Sequence, residues 1–394
     1  MLAPFTLEDY FLAHEAKAKI YMAASGVPPW PLQRLLALAS PAQQDAFNAL
    51  SLGYSVVPGL PETRSAVTSH LNGPHRTLTP QNITVTSGTS EAIYCAAHAL
   101  MRRFEAQGQS HPHAIALTPC YQSLYSVFES LGARVNRIEL QASNAWRPDL
   151  DEITASLTPE TRVIIANTPN SPTGQMFSRS QFEALIALAR KHDLWLLFDE
   201  VYRGLEHEPN HRLPALASVY ERGISVGGLS KAFGMPGLRI GWVAAQSLDI
   251  LALATQAKPY LSLTSSPVSE FLAQLALSHT ETIWQQNVET ILTRKPSLES
   301  FLQENQPELN CQLPISGCSA WVKIASDCDV KPLLDDEQDL SSWGLALLHQ
   351  TGVFVVPGSV YGLPYAQYFR LGFAQPDAQA GFSEISRFLR LKKD

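Results

Sequence analysis

Apolar strands that alternate with helical stretches between residues 83 and 245 predict an α/β chain with a mainly parallel central sheet flanked by helices. Segments such as Arg162-Val163-Ile164-Ile165-Ala166-Asn167 and Leu194-Trp195-Leu196-Leu197-Phe198-Asp199 are near-continuous apolar runs, the pattern of strands covered on both faces. Turn residues and a stretch of helical periodicity separate successive runs. Beyond residue 313 the pattern changes to short mixed strands and a last helix, which predicts a smaller α+β domain.

The first helix is expected over residues 6–24, where Phe11, Leu12, Ala16 and Ile20 stand near helical spacing. The Pro-rich segment Ser25-Gly26-Val27-Pro28-Pro29-Trp30-Pro31 stops it. Helix resumes over residues 32–39, and residues 52–61 form a Gly- and Pro-rich loop before a helix over 61–71. Strands are expected at residues 83–86, 114–117, 135–140, 162–167, 194–199, 223–227 and 239–244. Helices are expected at 92–104, 121–131 and 180–192, then one long amphipathic stretch over 265–302. Strands at 320–324, 353–356 and 368–372 and a helix over 382–391 close the chain. The expected division is an N-terminal segment (1–45) packed with the small domain, a large domain (46–280) and a small domain (281–394).

With 394 residues, 45% hydrophobic and 16% charged, the chain can bury a sizeable core and shows no sign of disorder. Its net charge of −7 comes without a basic stripe, which excludes nucleic acid as an expected partner. No apolar run is long enough to span a membrane. Residues 1–9 lack the basic and apolar regions of a secretory signal, so a cytoplasmic location is expected. Cys95, Cys120, Cys311, Cys318 and Cys328 lack metal-type spacing and read as reduced thiols, with no metal site.

One stretch concentrates the chemistry: Gly227-Gly228-Leu229-Ser230-Lys231-Ala232-Phe233-Gly234. Small neighbours let the backbone approach a bulky ligand closely, which a surface lysine does not need. With Arg239 following, Lys231 reads as a Schiff-base lysine beside a phosphate-binding arginine; the alternative is a surface lysine in a Gly-rich loop. In parallel sheets, ligands bind beyond the carboxyl ends of strands, a rule that picks out Gly88, Pro119, Asn170, Asp199 and Lys231. Ser87-Gly88-Thr89-Ser90 leads from a strand into a helix, where free N–H groups favour an anion, unless Ser90 and Glu91 merely cap the helix. Asp199 ends a buried strand and is placed to hold a pyridine nitrogen protonated, or to serve as a structural cap or ion pair. Tyr202 and Asn170 are candidate donors to a ring oxygen and Tyr121 a stacking face; core packing and turn bonds are the rival roles. Arg370, a cation inside an apolar strand, needs either a substrate carboxylate or an internal one. The carboxylate, the lysine about one βαβ unit later and the unit between Asn170 and Asp199 converge on one crevice.

On these residues the chain resembles the class I/II aminotransferase family of fold-type I pyridoxal-phosphate enzymes, with Ser230 to Gly241 as the most specific motif. The resemblance implies pyridoxal 5′-phosphate bound through Lys231, with Asp199 at the ring nitrogen and Asn170 and Tyr202 at the ring oxygen. It puts Tyr121 on the ring face and Ser87, Gly88, Thr89, Ser230 and Arg239 around the phosphate. It implies that Arg370, with Asn170 and Gly26, holds the substrate. It also implies a homodimer in which Tyr54 reaches the neighbouring subunit's phosphate. Gly228 departs from the pattern, standing where many members have a phosphate-binding serine.

Leu7-Glu8-Asp9-Tyr10, Ala24-Ser25-Gly26-Val27 and Pro119-Cys120-Tyr121-Gln122 are similar to a branch that includes capreomycidine synthase and cyclases of hydroxylated arginine. The expected activity is transfer of an amino group from an α-amino acid to a 2-oxo acid, with Lys231, neutral through desolvation and a nearby cation, taking the α-proton. The alternative is cyclisation with loss of a side-chain leaving group. Glu15, Ser25 and Tyr10 are the residues expected to separate the two. A cofactor-sensing regulator on the same fold is not expected, because no basic module precedes the fold.

Overall fold

The structure, a computed structural model, describes residues 2–73, 77–325 and 341–390. Cys328 and the expected end of the last helix at residue 391 lie outside the described residues. The strands in chain order are β1 (Ile20–Tyr21), β2 (Ile83–Thr86), β3 (His113–Thr118), β4 (Arg134–Glu139), β5 (Thr161–Asn167), β6 (Trp195–Asp199) and β7 (Gly223–Gly228). They continue with β8 (Gly241–Ala245), β9 (Leu309–Cys311), β10 (Ser319–Ile324), β11 (Val353–Phe354), β12 (Val356–Pro357) and β13 (Tyr368–Gly372).

Seven strands form the central sheet in the order β2-β8-β7-β6-β5-β3-β4. All run parallel except β8, which is antiparallel to both neighbours. Every residue of β6 and β7 is buried, which is why their sequence is apolar or glycine without alternation. The edge strand β4 carries Arg134, Arg137 and Glu139, charges that discourage pairing with another sheet. The parallel order brings the carboxyl ends of β5, β6 and β7 side by side, so Asn167 pairs with Asp199, and Asp199 with Val226.

The second sheet is antiparallel, ordered β12-β13-β10-β9, and places Arg370 of β13 opposite Trp321 and Val356. The first helix departs from expectation. It covers only Thr6–His14, followed by a 3-10 turn at Glu15–Lys17 and then β1, which pairs parallel with β11. The cause is tertiary: Ile20 N–H donates to Gly352 O at 3.0 Å and Met22 N–H to Phe354 O at 2.9 Å, while the Tyr10 ring stacks on Phe354. These long-range bonds override local helical spacing. The expected helix over 265–302 is two helices, Pro267–Ser278 and Thr280–Glu304, which meet at His279 with non-helical backbone angles (φ −115, ψ 26). Leu7 and Tyr10 join one apolar cluster with Phe354, Val356 and Phe198, which fixes the first helix over the carboxyl ends of the sheet strands.

Candidate active site

A cavity of about 780 Å³ opens at those strand ends. Its floor is Asp199, Tyr202 and Lys231; Thr89, Ser230 and Arg239 line one end, and Arg370, Tyr361 and Gln375 another. The first helix and the segment after it supply Glu8, Glu15, Ser25 and Gly26.

Lys231 follows β7, and the small residues around it shape its surroundings. A Cβ on Gly26 would stand 3.4 Å from Lys231 Cδ, so the two chains pack directly. Lys231 Nζ donates to Ser25 Oγ at 2.8 Å. Burial first, and the like charge of Arg370 second, push its pKa down to about 8. The amine is therefore substantially neutral near that pH, the state in which it can attack a carbonyl or accept a proton.

Asp199 ends β6 and is 3% exposed. Its Oδ1 accepts the Val201 N–H at 3.0 Å. Burial pushes its pKa up to about 7, against the pull of that N–H and of Lys231. A cationic ring nitrogen against this carboxylate would reverse the burial penalty by supplying an opposite charge. Tyr202 lies beside it on the cavity wall, with its pKa raised mainly by burial. Tyr121 lines the wall, and its hydroxyl donates to Glu8 Oε1 at 3.3 Å.

The anion end is built on the N-terminus of the helix Thr89–Ala106, whose N-cap Gly88 has φ 91 and makes no side-chain capping bond. Gly88 is required there, because its φ of 91 strains any residue with a Cβ. Thr89 Oγ1 is buried without a partner. The departure at Gly228 has a steric cause: a Cβ there would meet Thr89 Oγ1 at 2.6 Å and Ile240 O at 2.8 Å.

Arg370 is 4% exposed, donates to Tyr361 Oη at 2.5 Å and to Ala23 O at 2.6 Å, and leaves Nε without a partner. No carboxylate pairs with it among the described residues. Such a buried charge calls for an anion from outside the chain.

Four expected residues, Asn170, Ser87, Gly88 and Tyr54, do not line the cavity. Asn170 is spent inside its own loop: Oδ1 accepts from Thr173 Oγ1 at 2.6 Å, and Nδ2 donates to Pro119 O at 3.0 Å. Ser171 and Asn167 line the cavity in its place. Ser87 gives its N–H to Glu91 Oε2 at 2.6 Å. Tyr54 is 87% exposed and is absent from the cavity wall. Glu8, Asn167, Ser171, Tyr361 and Gln375 were not singled out from sequence; the signal for Asn167 was its place at the end of an apolar strand.

The family description "Aminotransferase class I and II" matches residues 35–380. The chain belongs to that family. Capreomycidine synthase of Streptomyces vinaceus is 28% identical over 388 residues, covering 97% of this chain and 93% of the relative. The arginine–pyruvate transaminase of Pseudomonas aeruginosa is 28% identical over 347 residues, covering 84% of this chain and 81% of the relative. The crystal structure of a PLP-dependent aminotransferase from Streptococcus suis superposes with a TM-score of 0.88 at 29% identity, covering 100% of this chain and 99% of that one.

The protein is a PLP-dependent transferase of the class I/II aminotransferases, with pyridoxal 5′-phosphate as its cofactor. The residues present fit that group: an orphaned Thr89 hydroxyl, an uncapped helix N-terminus and Arg239 suit a phosphate. The buried Asp199 suits a protonated ring nitrogen. Among the described residues no helix is long and apolar enough to cross a membrane, and no group of His, Cys, Asp and Glu is arranged to hold a metal.

Proposed function

We propose that the protein moves the amino group of an α-amino acid with a cationic side chain to a 2-oxo acid. The observation that carries this is Arg370, a buried guanidinium with no internal carboxylate, across the same cavity as the depressed-pKa Lys231. Arg370 holds the substrate carboxylate, and the α-amino group is then presented towards Lys231. Glu8 and Glu15 on the remaining wall have no cationic partner among the described residues, which suits a guanidinium or ammonium on the substrate side chain. The names of the two relatives above, a capreomycidine synthase and an arginine–pyruvate transaminase, support the same substrate class.

When bound, pyridoxal 5′-phosphate supplies a ring that stores the electron pair left at the substrate α-carbon, and Asp199 keeps that ring protonated. Lys231 would hold the cofactor, and its amine, depressed in pKa to about 8, would accept the α-proton, with Ser25 Oγ holding its Nζ. Ser171 and Tyr202 face the cavity beside Asp199 and orient the ring. Thr89, Ser230, Arg239 and the Gly88 turn hold the phosphate. The exposed Tyr54, with Leu52 and Tyr260 also exposed, supports a homodimer in which Tyr54 serves the neighbouring copy.

The coverage of capreomycidine synthase favours a second reading, cyclisation of a hydroxylated arginine with loss of water. A panel of amino acids with a 2-oxo acid acceptor separates the two by mass spectrometry of products. Transamination converts a basic donor to its 2-oxo acid and aminates the acceptor. A product that keeps the donor nitrogen and lacks one water refutes the first reading. Lys231→Ala abolishes the visible absorbance of the loaded protein; an unchanged band sinks the assignment of the lysine.

A further inference from the structure

Beneath the anion end lies a second polar cluster that the reaction above does not use. Lys258 is fully buried, a costly place for an ammonium group. Its Nζ stands 3.9 Å from Glu91 Oε1 and donates to Ser262 Oγ at 2.9 Å and Ser265 Oγ at 3.3 Å. Glu91 is the centre of the cluster. Its Oε2 accepts the Ser87 N–H at 2.6 Å and its Oε1 accepts from Ser262 Oγ at 2.8 Å. Nearby, buried Glu270 accepts from Ser55 Oγ and Leu60 N–H at 2.7 Å each, tying down the loop that carries Tyr54. The charge of Glu270 also acts on Lys258.

A glutamate in the first turn of a helix that reaches back to a preceding N–H is ordinary capping chemistry. Two features exceed it. The Glu91 side chain is only 8% exposed and shares its carboxylate with a fully buried lysine. A buried ion pair stabilises a fold no better than apolar residues of the same volume would. The N–H it holds also belongs to Ser87, one residue before Gly88, whose left-handed backbone aims the helix N-terminus and Thr89 into the cavity.

We propose that Glu91, held by Lys258 and Ser262, is a positioning residue for the phosphate of the cofactor. It fixes the backbone at Ser87 and Gly88, and through it the direction of the first N–H groups of the helix and of Thr89. The inference rests on the reading of this cavity as the cofactor site.

The test compares pyridoxal 5′-phosphate with pyridoxal, which lacks the phosphate. Dissociation constants are read from the visible absorbance of the lysine-bound ligand in wild type, Glu91→Gln, Glu91→Ala and Ser262→Ala. Glu91→Ala is expected to weaken pyridoxal 5′-phosphate about 10-fold and leave pyridoxal unchanged. Glu91→Gln keeps an acceptor for the Ser87 N–H and stays within about threefold of wild type. Ser262→Ala, too small a change to unfold the chain, weakens pyridoxal 5′-phosphate alone, and decides the matter if Glu91→Ala does not fold. Equal weakening of both ligands, or a lower melting temperature with an unchanged ratio of the two constants, overturns the proposal. A wild-type protein that develops no visible band with pyridoxal 5′-phosphate refutes the cofactor site itself. A wild-type band with an unaltered ratio in the variants refutes only the role of Glu91.

Discussion

Lys231 Nζ and Ser25 Oγ stand 2.8 Å apart, a hydrogen bond that joins the carboxyl end of the central sheet to the N-terminal segment. Tyr202 lines the same cavity beside Ser25 and Lys231. Ser25→Ala is expected to lower kcat about 10-fold with KM little changed, because it frees the lysine amine without touching the Arg370 wall. Steady-state kinetics with a basic amino donor check this, and a rise in KM with unchanged kcat counts against a role at the lysine.

The depressed pKa of Lys231 sets a pH window. Its folded-state pKa, about 8, lies below that of an unfolded lysine, so the charged amine is disfavoured by folding. In the cofactor-free protein this penalty is fully present below about pH 8 and is relieved as pH rises towards the ordinary lysine value. The rate of pyridoxal 5′-phosphate uptake, followed by stopped-flow absorbance, therefore rises through about pH 8 and then levels. Arg370→Leu removes a like charge and moves the midpoint upward. A midpoint that stays put in this variant shows that burial alone sets the value.

Glu8→Gln tests the substrate wall. Its Oε1 accepts from the Tyr121 hydroxyl, a bond a glutamine retains, so the change removes charge and little else. KM for a basic donor is expected to rise about 10-fold, with that of a neutral donor unaffected. Equal effects on both donors would place the glutamate outside the side-chain subsite.

Gly228→Ser adds a hydroxyl at the phosphate end, and the structure argues for weaker rather than tighter binding. The new Cβ meets Thr89 Oγ1 and the Ile240 carbonyl, and that carbonyl, just before β8, is held by the Leu229 N–H at 3.1 Å. Cofactor retention on dialysis is expected to fall, by about 10-fold in dissociation constant. Tighter retention shows that the backbone yields there.

Much of the central sheet was legible because its strands are buried on both faces and separated by helical stretches. The segments expected at residues 83–86, 162–167 and 194–199 lie within one residue of β2, β5 and β6. The small-residue bracket of Lys231 and the carboxylate at the end of β6 were legible for a related reason: ligand crevices open where parallel strands end, and both residues line the cavity there. The first helix is shorter than its spacing implies because residues 19–22 take their hydrogen bonds from residues 352–354, far away in sequence. Asn170 was misjudged because composition shows that a turn is rich in amides and hydroxyls, but not which of them turns inward. The loop consumes Asn170 and leaves Ser171 facing the cavity.

The sequence by itself determined the α/β order, the lysine motif, the buried carboxylate and the resemblance that pointed to a pyridoxal-phosphate enzyme. All of these follow from local pattern, since periodicity, small-residue spacing and strand ends are properties of adjacent residues. Only the tertiary structure decided that Ser25, Glu8 and Glu15 share a cavity with Lys231, that Arg370 has no internal carboxylate partner among the described residues, and that Thr89 fills the space over Gly228. These are relations between segments hundreds of residues apart, fixed by packing and burial, and burial is what gives the lysine its reactive pKa.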